Sequence, residues 1–182
     1  YFLQYEAKMP YQTTPEQVEV IKNLVEKTIR ALKIQDSASH TEIIFTKEGP
    51  KIVEIGCRFG GDDILSSVKA VTGYNLLYEL IQIALGKTRK YDVRTFAYTT
   101  MRYFLPEKRG IIKNISVPPN LENDPRVVEF YIFMNKGQFV SPPPDSFDYI
   151  GYLSVKGATE KEAGKNLLDI CGQIKIDIND EQ

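Results

Sequence analysis

The sequence predicts an α+β fold: an antiparallel sheet with packed helices, continued by a strand-rich C-terminal region. Three observations carry that prediction. Apolar residues recur at helical spacing through 15–33 and again between positions 62 and 86. Two short β-rich runs, "TEIIFT" and "KIVEIGC", lie between those helical stretches and are joined by a Lys-Glu-Gly turn. From residue 95 the chain becomes β-branched and aromatic, in runs separated by Gly, Pro and Asn. Strand, helix, hairpin, two helices and then several strands with one late helix is the order of a layered domain. We divide the chain at 1–92 and 93–182.

Each element has a local cause. Residues 1–9 alternate loosely between apolar and polar and read as a strand. In "TTPEQ", Thr14 is placed to cap a helix, Pro15 suits its first position and Gln17 completes a capping box. Val18, Ile21, Leu24, Val25, Thr28, Ile29 and Leu32 then mark one buried helix face. The hairpin follows at roughly 41–46 and 51–57. Asp62 is the expected cap of a helix reaching Val71, which Gly73 stops; Asn75 starts another that ends near Gly86. Its stripe of Leu76, Leu77, Leu80, Ile81 and Ala84 reads as core, as do Phe104, Tyr131 and Phe133 among the later strands. Thr159 and Glu162 form a second capping box before a helix ending near Gly172, and "QIKIDI" closes as a strand. No internal repeat and no low-complexity segment interrupts the order.

Composition sets limits on function. The chain has 182 residues, 42% of them hydrophobic, enough to bury a real core. A net charge of −1 argues against a broad basic surface for nucleic acid. No apolar run approaches the ~20 residues that span a bilayer, so no membrane partner is expected. Two cysteines, Cys57 and Cys171, are too few for a disulfide framework and suit a reducing, cytoplasmic setting. The chain opens on Tyr1, inside a predicted strand, which predicts a fragment of a longer enzyme.

The chemistry concentrates in "HTEIIFTKEGPKIVEIGCRFGGD" at 40–62. Glu42 and Glu54 interrupt the two apolar runs, and the hairpin register decides whether they meet. A three-residue loop, Lys47 to Gly49, pairs Thr46 with Pro50 and sets Glu42 opposite Glu54, side chains about 5 Å apart. A two-residue loop shifts the register by one and sends them to opposite faces. Acids on a shared face repel unless one is protonated or a cation lies between them; Mg²⁺, a hard cation that takes oxygen ligands, answers that need. Spacing alone favours two solvated acids on a wet sheet face. The neighbours have plain readings too: His40 is also read as a hydrogen-bonded structural residue, Arg58 as a surface ion pair and Gly60-Gly61 as a tight turn before a helix.

Taken together, H-x-E, about a dozen residues and then E-x-x-x-R-x-G-G resembles the C-terminal half of the ATP-grasp fold. The matching residues are His40, Glu42, Glu54, Arg58, Gly60 and Gly61. "TGYNLLYELIQIALGK" at 72–87 is similar to that family's following helix, and "GATEKEA" at 157–163 to the segment before the last helix of several members. The resemblance implies that 1–92 is the metal-bearing half of an ATP-grasp domain and 93–182 a strand-rich subdomain with one late helix. It implies ATP and Mg²⁺, or Mn²⁺ in its place, as cofactors. Glu42 and Glu54 would coordinate the metal, Arg58 would face the transferring phosphoryl group, and Gly60 and Gly61 would admit an anion to the backbone. The implied activity is an ATP-dependent ligase that activates a carboxylate as an acyl phosphate and passes it to an amine.

The resemblance leaves alternatives open. A bicarbonate-using carboxylase or carbamoyl-phosphate-type enzyme shares the motif, and so does a non-catalytic module that kept the fold. Many members carry Asn two residues after the second glutamate, as a further metal ligand; Gly56 stands there in this chain, which puts a second metal site in doubt. The implied partners are small-molecule carboxylate and amine substrates and the N-terminal ATP-grasp half, which has no counterpart before "YFLQYEAKMP"; the fragment alone is expected to be inactive. Long apolar strands after residue 95 also predict self-association into a homodimer.

Overall fold

A computed structural model describes residues 3–87 and 91–179. In chain order the elements are strand β1 (Glu6–Met9), helix α1 (Pro15–Ala31), strands β2 (His40–Thr46) and β3 (Gly49–Gly56), and helices α2 (Ile64–Thr72) and α3 (Leu76–Ala84). Strands β4 (Tyr98–Phe104), β5 (Gly110–Ser116), β6 (Val127–Ile132), β7 (Phe139–Val140) and β8 (Gly151–Gly157) follow, then α4 (Glu160–Cys171) and β9 (Lys175–Asn179). This is the α+β architecture the sequence predicts. The first two residues of the expected opening strand lie outside the described residues. No helix among the described residues is long and apolar enough to cross a membrane.

The chain forms two compact units. One comprises Tyr1–Pro10, Ala70–Thr72 and Arg94–Gln182; the other comprises Tyr11–Lys69 and Gly73–Val93. The opening strand therefore lies with the strand-rich unit, because Glu6 to Met9 pair antiparallel with Arg102 to Thr99 of β4.

In the strand-rich unit a four-stranded antiparallel sheet runs β1-β4-β8-β6 and a three-stranded one runs β7-β5-β9. β8 is central: every residue from Gly151 to Val155 is buried, because strands flank both its edges. Leu153 and Val155 project to one face, where Leu167 and Ile170 of α4 and Leu121 complete a core. Tyr152 projects to the other, against Met101 and Tyr103. A third cluster joins Ile112, Val140 and Ile150 beneath the three-stranded sheet, with Ile176 and Ile178 of β9 packed on it.

Helix α4 is set by its ends. The Thr159 hydroxyl accepts from the Glu162 N–H at 3.1 Å, as the capping box predicts, but the Glu162 carboxylate accepts from Ala158 N–H at 2.9 Å rather than from the cap itself. Near the other end Arg126 clamps two elements, donating from Nη2 to Asp124 Oδ2 and from Nη1 to Asp169 Oδ2, both at 2.7 Å. Hydrogen bonds from the Arg126 side chain and backbone hold the Asp124 carboxyl below its ordinary value.

The hairpin unit is thinly covered. The capping box of α1 forms as expected: Gln17 N–H donates to Thr14 Oγ1 at 3.2 Å, and Gln17 Oε1 accepts from Thr14 N–H at 2.9 Å. Yet α1 contains no buried residue, and Val18 and Leu32 of its predicted buried face are exposed. Leu77 and Ile81, expected in the core, are also exposed, at 55% and 57%; the buried residue of α3 is Glu79, which accepts from Tyr91 Oη–H. Tyr131 and Phe133 of the strand-rich unit are likewise corrected to the surface, Tyr131 at 54% exposure. In each case the periodicity identifies the apolar side correctly, and no second layer of described residues covers it.

Two outcomes follow for stability. Leu167→Ala removes a side chain 1% exposed, and is expected to cost about 2–5 kcal/mol in chemical denaturation because the clamped α4 cannot collapse into the cavity. Asp124 has a depressed folded value, so its contribution is full above the ordinary aspartate value of about 4 and is lost as pH falls through the lower folded value. Melting temperatures measured from pH 5 down to about pH 2 are expected to fall more steeply for the parent than for Asp124→Asn.

Candidate functional site

The hairpin turn is tighter than the sequence reading expects. Thr46 pairs with Gly49, leaving the two-residue loop Lys47-Glu48. Gly49 takes a φ of 103°, and the Thr46 hydroxyl bridges the turn, donating to Gly49 O at 2.8 Å and accepting from Glu48 N–H at 3.1 Å. That loop by itself sends Glu42 and Glu54 to opposite faces. It does not, because a β-bulge intervenes. Ile43 pairs with Ile52, but Glu42 pairs with Glu54, so Val53 is an extra residue and the register is restored. The acids therefore stand opposite one another as the sequence reading requires, by a route it did not contain.

Both carboxylates are half-exposed and each has one basic side chain near it. His40 Nε2 lies 3.8 Å from Glu42 Oε1, and Arg58 Nη2 lies 3.6 Å from Glu54 Oε1. At these distances and exposures such pairs contribute about 1 kcal/mol or less, so neither acid is locked to its neighbour. Arg58 is held from its own loop, donating from Nη1 to Phe59 O at 2.9 Å. Its stem crosses Gly56: a Cβ on Gly56 would come within 3.4 Å of Arg58 Cγ and Nε. A Cβ there would meet the stem at van der Waals distance, so the glycine that departs from the family pattern leaves space beside the arginine. Sequence reasoning missed this contact, and the small residue two before the arginine was its only signal.

The two loop glycines differ. A Cβ on Gly60 would collide with Ile64 Cδ1 and sit 2.9 Å from His40 Nδ1, so this glycine seats the loop against the imidazole. Gly61 has nothing within 4 Å of its Cβ position and faces open space. The helix cap is corrected by one residue. Asp62 is in the left-handed region, with φ 51°, and Asp63 precedes α2 instead, without a side-chain capping bond. Asp63 is buried and accepts from Ser67 Oγ–H one turn on, so the start of α2 already carries a carboxylate. At the far end Gly73, with φ 78°, ends the helix as predicted.

Chemically, two opposed carboxylates offer oxygen donors to a hard divalent cation, with the remaining positions left to phosphate oxygens and water. No group of three or more potential metal-ligating acids, histidines or cysteines gathers among the described residues. The hairpin fits a metal shared with a bound phosphate better than one caged by protein.

Comparison with known proteins bears on the fold. The whole fold is that of the ATP-grasp enzymes. It superposes on the L-amino acid ligase from Bacillus licheniformis with a TM-score of 0.86 at 22% identity, covering 99% of this chain and 45% of that one. On the biotin carboxylase domain of the Hydrogenobacter thermophilus 2-oxoglutarate carboxylase, a structure holding MgADP and bicarbonate, the TM-score is 0.69 at 21% identity, covering 96% of this chain and 39% of that one. By sequence, the phosphoribosylamine–glycine ligase of Methanocaldococcus jannaschii is 35% identical over 105 residues, 55% of this chain and 23% of that protein. More narrowly, residues 102–179 match the family described as L-amino acid ligase C-terminal domain 2. The resemblance drawn from the sequence is borne out, and the chain spans less than half the length of each of these proteins.

The glycines supply a test. Gly60→Ala is expected to lose about 1–3 kcal/mol of stability by overpacking against His40 and Ile64, whereas Gly61→Ala is expected to melt within about a degree or two of the parent. Thermal unfolding of the two variants side by side checks both.

Proposed function

We propose that the chain is the metal-bearing part of an ATP-dependent ligase that activates a carboxylate as an acyl phosphate and passes it to an amine. The observation that carries this reading is the pairing of Glu42 with Glu54 across the bulge, beside Arg58. The chemistry that magnesium would supply here is neutralisation of phosphate charge. Glu42 and Glu54 would hold the ion, half-exposed and, among the described residues, paired loosely with His40 and Arg58 at more than 3.5 Å. The guanidinium of Arg58, its Nη1 fixed on Phe59 O, would present its fork to the transferring phosphoryl group and the acyl phosphate. The open side of Gly61 would let the backbone approach an anion, and Gly60 would keep that backbone seated on His40. Such catalysis is positioning and charge neutralisation and needs no protein nucleophile.

The match of residues 102–179 to the L-amino acid ligase domain supports an amine rather than bicarbonate as the second substrate. The exposed apolar faces of α1 and α3 support a covering partner, and the N-terminal ATP-grasp half is the one this reading supplies.

The test is phosphate release from ATP by the whole protein, in the presence of mixed amino acids. Glu42→Gln and Glu54→Gln are each expected to lower the rate about 10²-fold or more at saturating Mg²⁺, and Arg58→Lys to lower it similarly, because a point charge does not replace a fork. Full activity in both glutamine variants would sink the assignment.

A further inference from the structure

Arg102 on β4 is held along one edge only. Opposed to Glu6 in the β1–β4 register, it donates from Nε and Nη2 to the single oxygen Glu6 Oε2, at 3.2 and 2.8 Å. The Tyr5 ring lies 5.5 Å from its Cζ, under the guanidinium plane. Among the described residues Nη1 has no hydrogen-bond partner, although the side chain is only 23% exposed. Burial works against the charge, but the hydrogen bond to Glu6 and the acidic groups around it more than offset that, and the guanidinium is raised above its ordinary value. A fixed, charged arginine is thus left with its outer fork unused.

Arg102 lines a pocket of about 590 Å³, within the ~300–1,000 Å³ typical of small-molecule sites. The lining is otherwise largely hydrocarbon: Ile174, Ile176 and Ile178 recur at every second residue, the last two on β9. Cys171 closes the floor, and burial pushes its thiol up, against the opposing pull of Arg102, so it presents an uncharged sulfur. All of these residues belong to the strand-rich unit.

We propose that this pocket binds a small carboxylate with an apolar body. The carboxylate takes the Nη1–Nη2 edge of Arg102 in the two-point geometry that a guanidinium favours, and the hydrocarbon lies on the isoleucine wall. A monoanion fits better than a phosphate, because Glu6 already pairs with Arg102 and would repel a second negative charge. Tyr5 and Glu6 hold the arginine in place before the ligand arrives, so little side-chain freedom is lost on binding. The inference does not use the hairpin or ATP, and it stands whether or not the ligase reading does.

The experiment titrates the full chain with 3-phenylpropanoate and, in parallel, with its uncharged analogue 3-phenylpropan-1-ol, following isoleucine methyl resonances. The acid is expected to bind with a Kd of about 1 mM or below and the alcohol at least about tenfold more weakly, with shifts at Ile174, Ile176 and Ile178. Arg102→Gln is expected to bring the acid down to the affinity of the alcohol while leaving the alcohol unchanged. Ile176→Ala is expected to weaken both alike. Should Arg102→Gln fail to fold, Arg102→Lys is expected to keep the acid's preference only in part. Equal affinity for acid and alcohol, methyl shifts elsewhere in the chain, absence of binding at about 10 mM, or a preference that survives intact in Arg102→Gln or Arg102→Lys would overturn the proposal.

Discussion

One inserted residue holds the acidic hairpin in register. A two-residue loop and an unbroken ladder would set Glu42 opposite Val53 and turn Glu54 to the other face. The bulge at Val53 cancels that slip, at the cost of one unpaired backbone position and a locally stronger twist. Everything assigned to this site depends on that correction. Arg58 reaches Glu54 because β3 ends where it does, and Gly56 leaves room for the arginine stem to cross. His40 reaches Glu42 because the two lie two apart on β2, and Gly60 lets the following loop lie against the imidazole. Charge, register and two missing side chains act as one arrangement.

The two units resolve the shortage of cover differently. β8 is sandwiched between strands and has cores on both faces, so the strand-rich unit is anchored from within. The hairpin unit has two strands and its helices, and it buries little: its buried carboxylates are satisfied locally, Asp63 by Ser67 and Glu79 by Tyr91, while Leu77 and Ile81 of α3 remain at the surface. Exposed apolar area of that extent is a binding surface or a liability. The ligase reading makes it the former.

Local chemistry was legible in the sequence and distant chemistry was not. The Thr14–Gln17 box and the left-handed Gly73 depend on residues three or four apart, and both formed as read. Element types followed from periodicity in the same way. The hairpin loop was misjudged because Lys-Glu-Gly suits either length, and nothing in "KIVEI" distinguishes Val53 from an ordinary strand residue. Periodicity told which side of α3 and β6 was apolar, but not whether another layer would cover Leu77, Ile81 or Tyr131. The Arg102 pocket had no signal at all: Glu6 and Arg102 are 96 residues apart, and only the β1–β4 pairing brings them together.

That same pairing has a topological consequence. Because β1 is stitched into the sheet by β4, the polypeptide leaves the strand-rich unit after Pro10 and has returned for good by Arg94. The hairpin unit is therefore a loop inserted into its neighbour rather than a bead threaded before it. A single backbone nick inside the loop leaves both ends of the cut tethered to the same sheet, and no one truncation point yields either unit whole. In assembly, β1 must wait for residues nearly a hundred positions downstream before its hydrogen bonds have partners, and closing so long a loop is paid in chain entropy ahead of any return.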